Sequence, residues 1–223
     1  MISAKLMELN HNQILQFLGY RGQEMTPELE EQINRCAREV TASCAPKLTY
    51  AILDSGDDLV KQLVGVSKDL AKLLCGCEMV VFMAATVGAG VERLLMRAEI
   101  KNMADAVIMD ACAGAAIENI CDNFENDLRT SLAAEGKYLT DRFSPGYGDL
   151  PLDTQRMICL ELLKADKRIG LTLTETNIMV PRKSVSAIMG ISLRPVKRRA
   201  KDCSRCGIFR SCEIRNSGGC CHE

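Results

Sequence analysis

Thirteen consecutive residues, Met79 to Val91, carry no charged side chain, the longest such run in the chain. A helix spanning a bilayer needs about 20 predominantly apolar residues, so this segment belongs in a protein core and not in a membrane. EMVVFMAAT (Glu78 to Thr86), which overlaps its start, is a continuous apolar run after the glutamate, of strand length. Gly88 and Gly90 follow, and VERLLMRAEI after them has helical spacing. A dinucleotide fingerprint would want a third glycine where Arg93 stands, so these glycines are read as a plain strand-to-helix connection. The N-terminal MISAKLMELNHN offers no basic stretch followed by an apolar core, and the expectation is a soluble, cytoplasmic protein without membrane attachment.

Helix signals dominate the first two thirds. Thr26-Pro27 is an N-cap followed by proline at the first helical position, and Leu29, Ile33, Cys36, Ala37, Val40 and Cys44 recur at helical spacing up to Pro46. Ser67 can cap a helix running through Leu74 and stopped at Gly76. A long helix rich in small residues is expected from about Met103 to Ala134. On its Val107, Ala111, Gly114, Glu118, Cys121 line, Glu118 is a carboxylate on an otherwise small, apolar stripe. A buried unpaired carboxylate is costly, so Glu118 should sit at an edge, be paired, or face a ligand cation. Farther on, Asp153 to Ile169 is an amphipathic helix candidate stopped by Gly170, while Leu171 to Val180 and Ser184 to Leu193 look like an antiparallel strand pair. Helices and strands without regular βαβ alternation give an α+β fold.

The twelve cysteines divide sharply. Seven are scattered through apolar segments, where a reduced thiol acts as a small hydrophobe. Five, Cys203, Cys206, Cys212, Cys220 and Cys221, crowd into the last 21 residues, a pattern that favours metal or redox chemistry over a disulfide framework when no secretory signal is present. Four thiolates suit zinc or an iron–sulfur cluster, and Cys203, Cys206 and Cys212 are the safer ligands with Cys220 or Cys221 as the fourth. From Arg194 to Arg215 eight basic residues face two acidic ones, a net of +6, and since the whole chain is −1 the remainder sums to −7. The reading is a main domain over 1–195 and a basic, Cys-rich tail over 196–223.

The loop Arg142-Phe143-Ser144-Pro145-Gly146-Tyr147-Gly148-Asp149-Leu150-Pro151 is the most informative stretch of the body. Pro145-Gly146 suits the centre of a type II turn, Gly148 adds backbone freedom, and Pro151 stiffens the exit. Arg142 can grip a carboxylate with two parallel hydrogen bonds, and Tyr147 offers a flat ring with a hydroxyl. As a loop residue Arg142 is expected to contribute little to the core.

This loop, together with Lys183-Ser184-Val185-Ser186 and Leu18-Gly19-Tyr20-Arg21, resembles the reactivation domain of cobalamin-dependent methionine synthase in a short stand-alone form. The resemblance extends from about residue 10 to 193. It implies a single C-shaped α+β domain with a bent antiparallel sheet flanked by helices. It also implies binding of S-adenosylmethionine and presentation of its methyl group to oxidised cobalamin for reductive methylation. By that resemblance Arg142 holds the methionine carboxylate, Tyr147 lies near donor and corrin, and Glu118 matches a donor-contacting glutamate on the long helix. Gly146 and Gly148 shape the binding loop, and Ser184 and Ser186 support it. The large multidomain enzymes have a proline where this chain has Gly148.

The function expected is therefore that of an activation subunit of methionine synthase, or of another corrinoid methyltransferase. Its partners would be a corrinoid-binding methyltransferase subunit, with cobalamin on that partner, and an electron donor protein. The rival expectation is a non-catalytic binding module using a basic metal-knuckle tail for nucleic acid or protein contacts. Its motive is the charge excess of Arg194 to Arg215; the acidic body and scarce tail aromatics argue against nucleic acid.

Overall fold

The structure is a computed structural model that describes residues 9–20 and 22–196. The five tail cysteines, Cys203, Cys206, Cys212, Cys220 and Cys221, lie outside the described residues. The described chain forms two compact units, one from residues 9–45 and 87–119, the other from 46–86 and 120–196. Among the described residues no helix is long and apolar enough to cross a membrane.

The first unit is helical. Helix α1 (His11–Phe17) is capped by the Asn10 side chain, and α2 (Pro27–Ser43) by Thr26, whose hydroxyl accepts from the Leu29 N–H at 3.3 Å. Thr26 and Pro27 thus start the helix where the sequence places its signal: the hydroxyl satisfies one orphan N–H, and proline fills a position that needs none. Helix α5 (Ala89–Lys101) lies against α2 at Gly90, where a Cβ would stand 2.4 Å from the Ser43 carbonyl oxygen. Only glycine allows that approach. The long helix α6 (Met103–Ala134) has the predicted bounds and gives its N-terminal half to this unit. Its Asp105 accepts from Gln32 and Arg35 of α2, both at 2.7 Å, which together hold its carboxyl below the usual range.

The second unit holds an antiparallel sheet in the order β1-β2-β6-β3, formed by β1 (Lys47–Asp54), β2 (Met79–Thr86), β6 (Ser184–Ser192) and β3 (Tyr138–Leu139). Val80, Phe82 and Ala84 of β2 face a core shared with α3 (Asp58–Val66), α4 (Lys68–Leu74) and the segment after residue 153. The other face of β1 carries Tyr50, whose ring meets Phe124 of α6 at 5.1 Å between centroids. The α+β class with an antiparallel sheet flanked by helices is as expected from the sequence.

Two local expectations need correction. The strand Ser184–Ser192 pairs with Met79–Thr86 along its length and with Tyr138–Leu139 near its C-terminal end, and Leu171 to Val180 is not hydrogen-bonded to it. Instead β4 (Thr172–Leu173) and β5 (Met179–Val180) pair with each other around a turn in which Thr174 N–H donates to the Ile178 carbonyl at 2.9 Å. The helix candidate Asp153 to Ile169 is broken into α7 (Thr154–Arg156), a π-helical stretch (Met157–Leu162) and α8 (Ala165–Arg168), with Lys164 in a left-handed conformation at φ 50°. Leu163 N–H donates to the carbonyl of Ile158, five residues back, and both side chains are fully buried in the core of this unit.

Candidate binding site

The Arg142 to Pro151 loop is anchored at both ends. Phe143 exchanges backbone hydrogen bonds with Ile188 of β6 (2.9 and 2.8 Å), and Leu150 is buried in the core of the second unit. Between them Tyr147 N–H donates to the Ser144 carbonyl at 3.1 Å around Pro145-Gly146, with Gly146 at φ 86°, which is the type II turn the sequence predicts. A second tight turn follows, Leu150 N–H to the Tyr147 carbonyl at 3.1 Å, with Gly148 at φ 54°. Proline is locked near φ −65°, so a loop with proline at 148 cannot take this turn. The tip is exposed: Tyr147 has 68% of its surface free.

Asp149 ties the tip to α4. Its carboxylate accepts from the Ser67 hydroxyl at 2.5 Å and from the N–H groups of Lys68 (2.8 Å) and Asp69 (3.2 Å). The Ser67 hydroxyl does most to hold this carboxyl below the usual range. At Gly148 a Cβ would lie 2.6 Å from the Asp69 carboxylate and 3.3 Å from the Phe143 ring. Gly148→Ala is therefore expected to cost about 1–2 kcal/mol, chiefly from the left-handed backbone, since the Asp69 side chain can swing away. Urea denaturation followed by circular dichroism checks it, and an unchanged midpoint would mean the loop adopts another turn.

Arg142 is not the lightly held loop arginine expected. Its side chain is 18% exposed; Nη2 contacts Asp122 Oδ1 at 2.6 Å and Nε contacts Glu125 Oε2 at 3.0 Å, both on α6. The other oxygen of Glu125 takes Arg129, from Nη2 at 2.7 Å and Nε at 3.2 Å. Arg129 in turn donates to the carbonyls of Leu139 and Thr140 and lies 3.6 Å from Asp141. Asp122, Glu125 and Asp141 against Arg129 and Arg142 make a cluster of three negative and two positive groups. The sequence reading missed Asp122, Glu125 and Arg129, whose spacings of three and four residues place them on one face of α6.

The remaining sequence-predicted residues are distributed plainly. Gly146, Tyr147 and Gly148 share the second unit with Arg142, while Glu118 stands half-buried on α6 in the first unit. Ser184 donates to the Pro181 carbonyl at 2.7 Å and Ser186 to Gln155 at 3.2 Å, both buried. Among the described residues no group of three or more His, Cys, Asp or Glu is arranged to hold a metal ion.

The family model of the vitamin B12 dependent methionine synthase activation domain matches residues 76–193, a stretch that contains the whole sheet except β1, the loop and the charged cluster. The chain belongs to this family. A search of curated proteins gives no match. Among solved structures, the crystal structure of the MetH reactivation domain bound to AdoHcy aligns with 96% of this chain and 82% of its own, at 17% identity and a TM-score of 0.58. At that identity the likeness establishes the shared fold. Within the matched stretch, the Arg-x-x-Pro-Gly-Tyr loop sits on the sheet edge and closes with Gly148 in a turn that proline cannot enter.

Proposed function

We propose that the protein binds S-adenosylmethionine at the Arg142 to Pro151 loop and supports reductive methylation of oxidised cobalamin on a corrinoid methyltransferase partner, methionine synthase being the first candidate. The observation that carries this reading is the Arg142 guanidinium, held among carboxylates five residues before an exposed Tyr147, inside the matched activation-domain stretch. The donor set fits the ligand. A guanidinium suits the methionine carboxylate, and a cluster with one negative charge in excess suits a head group whose ammonium and sulfonium leave it one positive charge in excess. Gly146 and Gly148 allow the two tight turns that present the exposed Tyr147 ring to a flat ligand. The reading rests on residues of the second unit.

When bound, S-adenosylmethionine supplies the methyl group and the partner's cobalamin accepts it with an electron; this chain binds and orients the donor. The reduction calls for an electron donor protein. Cys203, Cys206, Cys212, Cys220 and Cys221 are proposed to hold zinc or an iron–sulfur cluster, and the cytoplasm, where the body thiols stay reduced, is the proposed location.

Titration calorimetry with S-adenosylmethionine, with and without a corrinoid protein, tests the reading. Arg142→Ala is expected to weaken binding by roughly 30-fold or more, because the ligand carboxylate loses a charge-assisted partner. Unchanged affinity removes Arg142 from the site. A melt of the same variant separates lost binding from lost structure, since Glu125 keeps Arg129 after the change.

A further inference from the structure

Glu125 meets the Arg142 side chain, and Arg129 meets the backbone leading into it and the Asp141 carboxylate. Glu125 is a carboxylate with a 9% exposed side chain shared by two guanidinium groups, one oxygen for each. Arg129 carries the second restraint, because the carbonyls it holds, those of Leu139 and Thr140, immediately precede Asp141 and Arg142. The side chain of Arg142 is thus fixed to α6 by Glu125 and Asp122, and the chain that delivers it by Arg129, which shares Glu125. A surface arginine gripping a ligand would lose rotamer freedom on binding; one already fixed by a buried partner has lost it on folding.

We infer that Glu125 and Arg129 are positioning residues for Arg142, setting its aim at the ligand carboxylate without touching the ligand. This rests on the reading that S-adenosylmethionine binds at Arg142. Glu125→Gln is the informative change. The amide has one oxygen and one NH2 group, and Arg129 offers two donors to the oxygen it meets while Arg142 offers one. The oxygen therefore turns to Arg129, the NH2 turns to Arg142, and Nε of Arg142 is left facing a donor. Arg142 then pivots about its remaining contact with Asp122.

The experiment compares two probes, S-adenosylmethionine and its decarboxylated form, by calorimetry on the full chain. Glu125→Gln should weaken S-adenosylmethionine binding by roughly ten- to a hundredfold and leave the decarboxylated probe within about twofold. Equal losses for both probes, or no loss for either, overturn the inference: the pair would then serve the fold alone. If Glu125→Gln does not fold, Arg129→Lys replaces it in the same comparison, since it keeps the charge opposite Glu125 but loses the fork that spans two carbonyls; the same pattern is expected and the same outcomes overturn it. An Arg142→Ala variant run alongside separates the two levels. If it binds S-adenosylmethionine as the parent does, the ligand reading fails and the inference falls with it. If it weakens binding while neither positioning variant does, the inference alone fails.

Discussion

Phe82→Ala should remove about 3–5 kcal/mol of stability, a third or more of what a domain of ordinary stability possesses. Phe82 is the largest fully buried side chain among the described residues and sits midway along β2, which pairs with β1 on one edge and β6 on the other. Its partners in register are Ala51 on β1 and Ile188 on β6. Neither can fill the gap: alanine is too short, and Ile188 is held by backbone bonds to Phe143 as well as to β2. The core around the ring is shared with α3, α4 and the π-helical segment, where Ile158 and the following Leu163 are fully buried. A cavity in such a place stays open, and the cost grows with the volume left empty. Phe82→Leu, which retains most of the volume, should lose no more than about 1.5 kcal/mol. The chain has no tryptophan, so urea unfolding is best followed by circular dichroism. A loss below about 1 kcal/mol for the alanine variant would show that the sheet and its covering helices can close over the gap.

Alkaline solution should be as damaging as any single substitution. Burial pushes the thiols of Cys36 and Cys159 up to about 11 and that of Cys112 up to about 12, from an ordinary 9.0, and all three have no exposed surface. In the unfolded chain each releases its proton near pH 9; in the fold each keeps it. The stabilisation this represents is complete below pH 9 and drains away as pH rises through 11 to 12, because the unfolded form gains the ionisation that the folded form refuses. For three such groups the loss at pH 11 is on the order of 5–10 kcal/mol, comparable with the whole stability of a domain. Urea midpoints measured under reductant from pH 8 to 11 should fall steeply, and the triple variant Cys36→Ala, Cys112→Ala, Cys159→Ala should fall much less over the same range. Equal slopes would mean that the thiols ionise freely in the folded protein.

These burials explain which parts of the structure could be read from the chain. Thr26, Pro27 and Ser67 act on N–H groups within three residues, so the starts of α2 and α4 were legible; so was the Pro145-Gly146 turn, whose geometry is set by one proline and one glycine. The long helix was legible because it is rich in alanine and other small residues and carries no proline over its 32 positions. What was not legible is what the chain brings together from afar. Whether Ser184–Ser192 pairs with the strand just before it or with one a hundred residues earlier is decided by which edge is open, and no local pattern states that. The strand Lys47–Asp54 went unassigned although Thr49, Tyr50 and Ile52 are good β-formers, because its burial alternates only weakly. In the candidate site the arginine and the turn were visible, but the partners of Arg142 come from α6, seventeen and twenty residues upstream. An arginine named from its loop alone carries no sign of the carboxylates waiting for it.

The bond between Asp149 and the start of α4 has a consequence for how the tyrosine tip behaves. The first turn of that short helix depends on Ser67 and Asp149 together, and the same carboxylate belongs to the loop. Fraying of the helix and loosening of the tip are therefore coupled, and the steadiness of the tyrosine depends in part on a short helix far upstream in the chain.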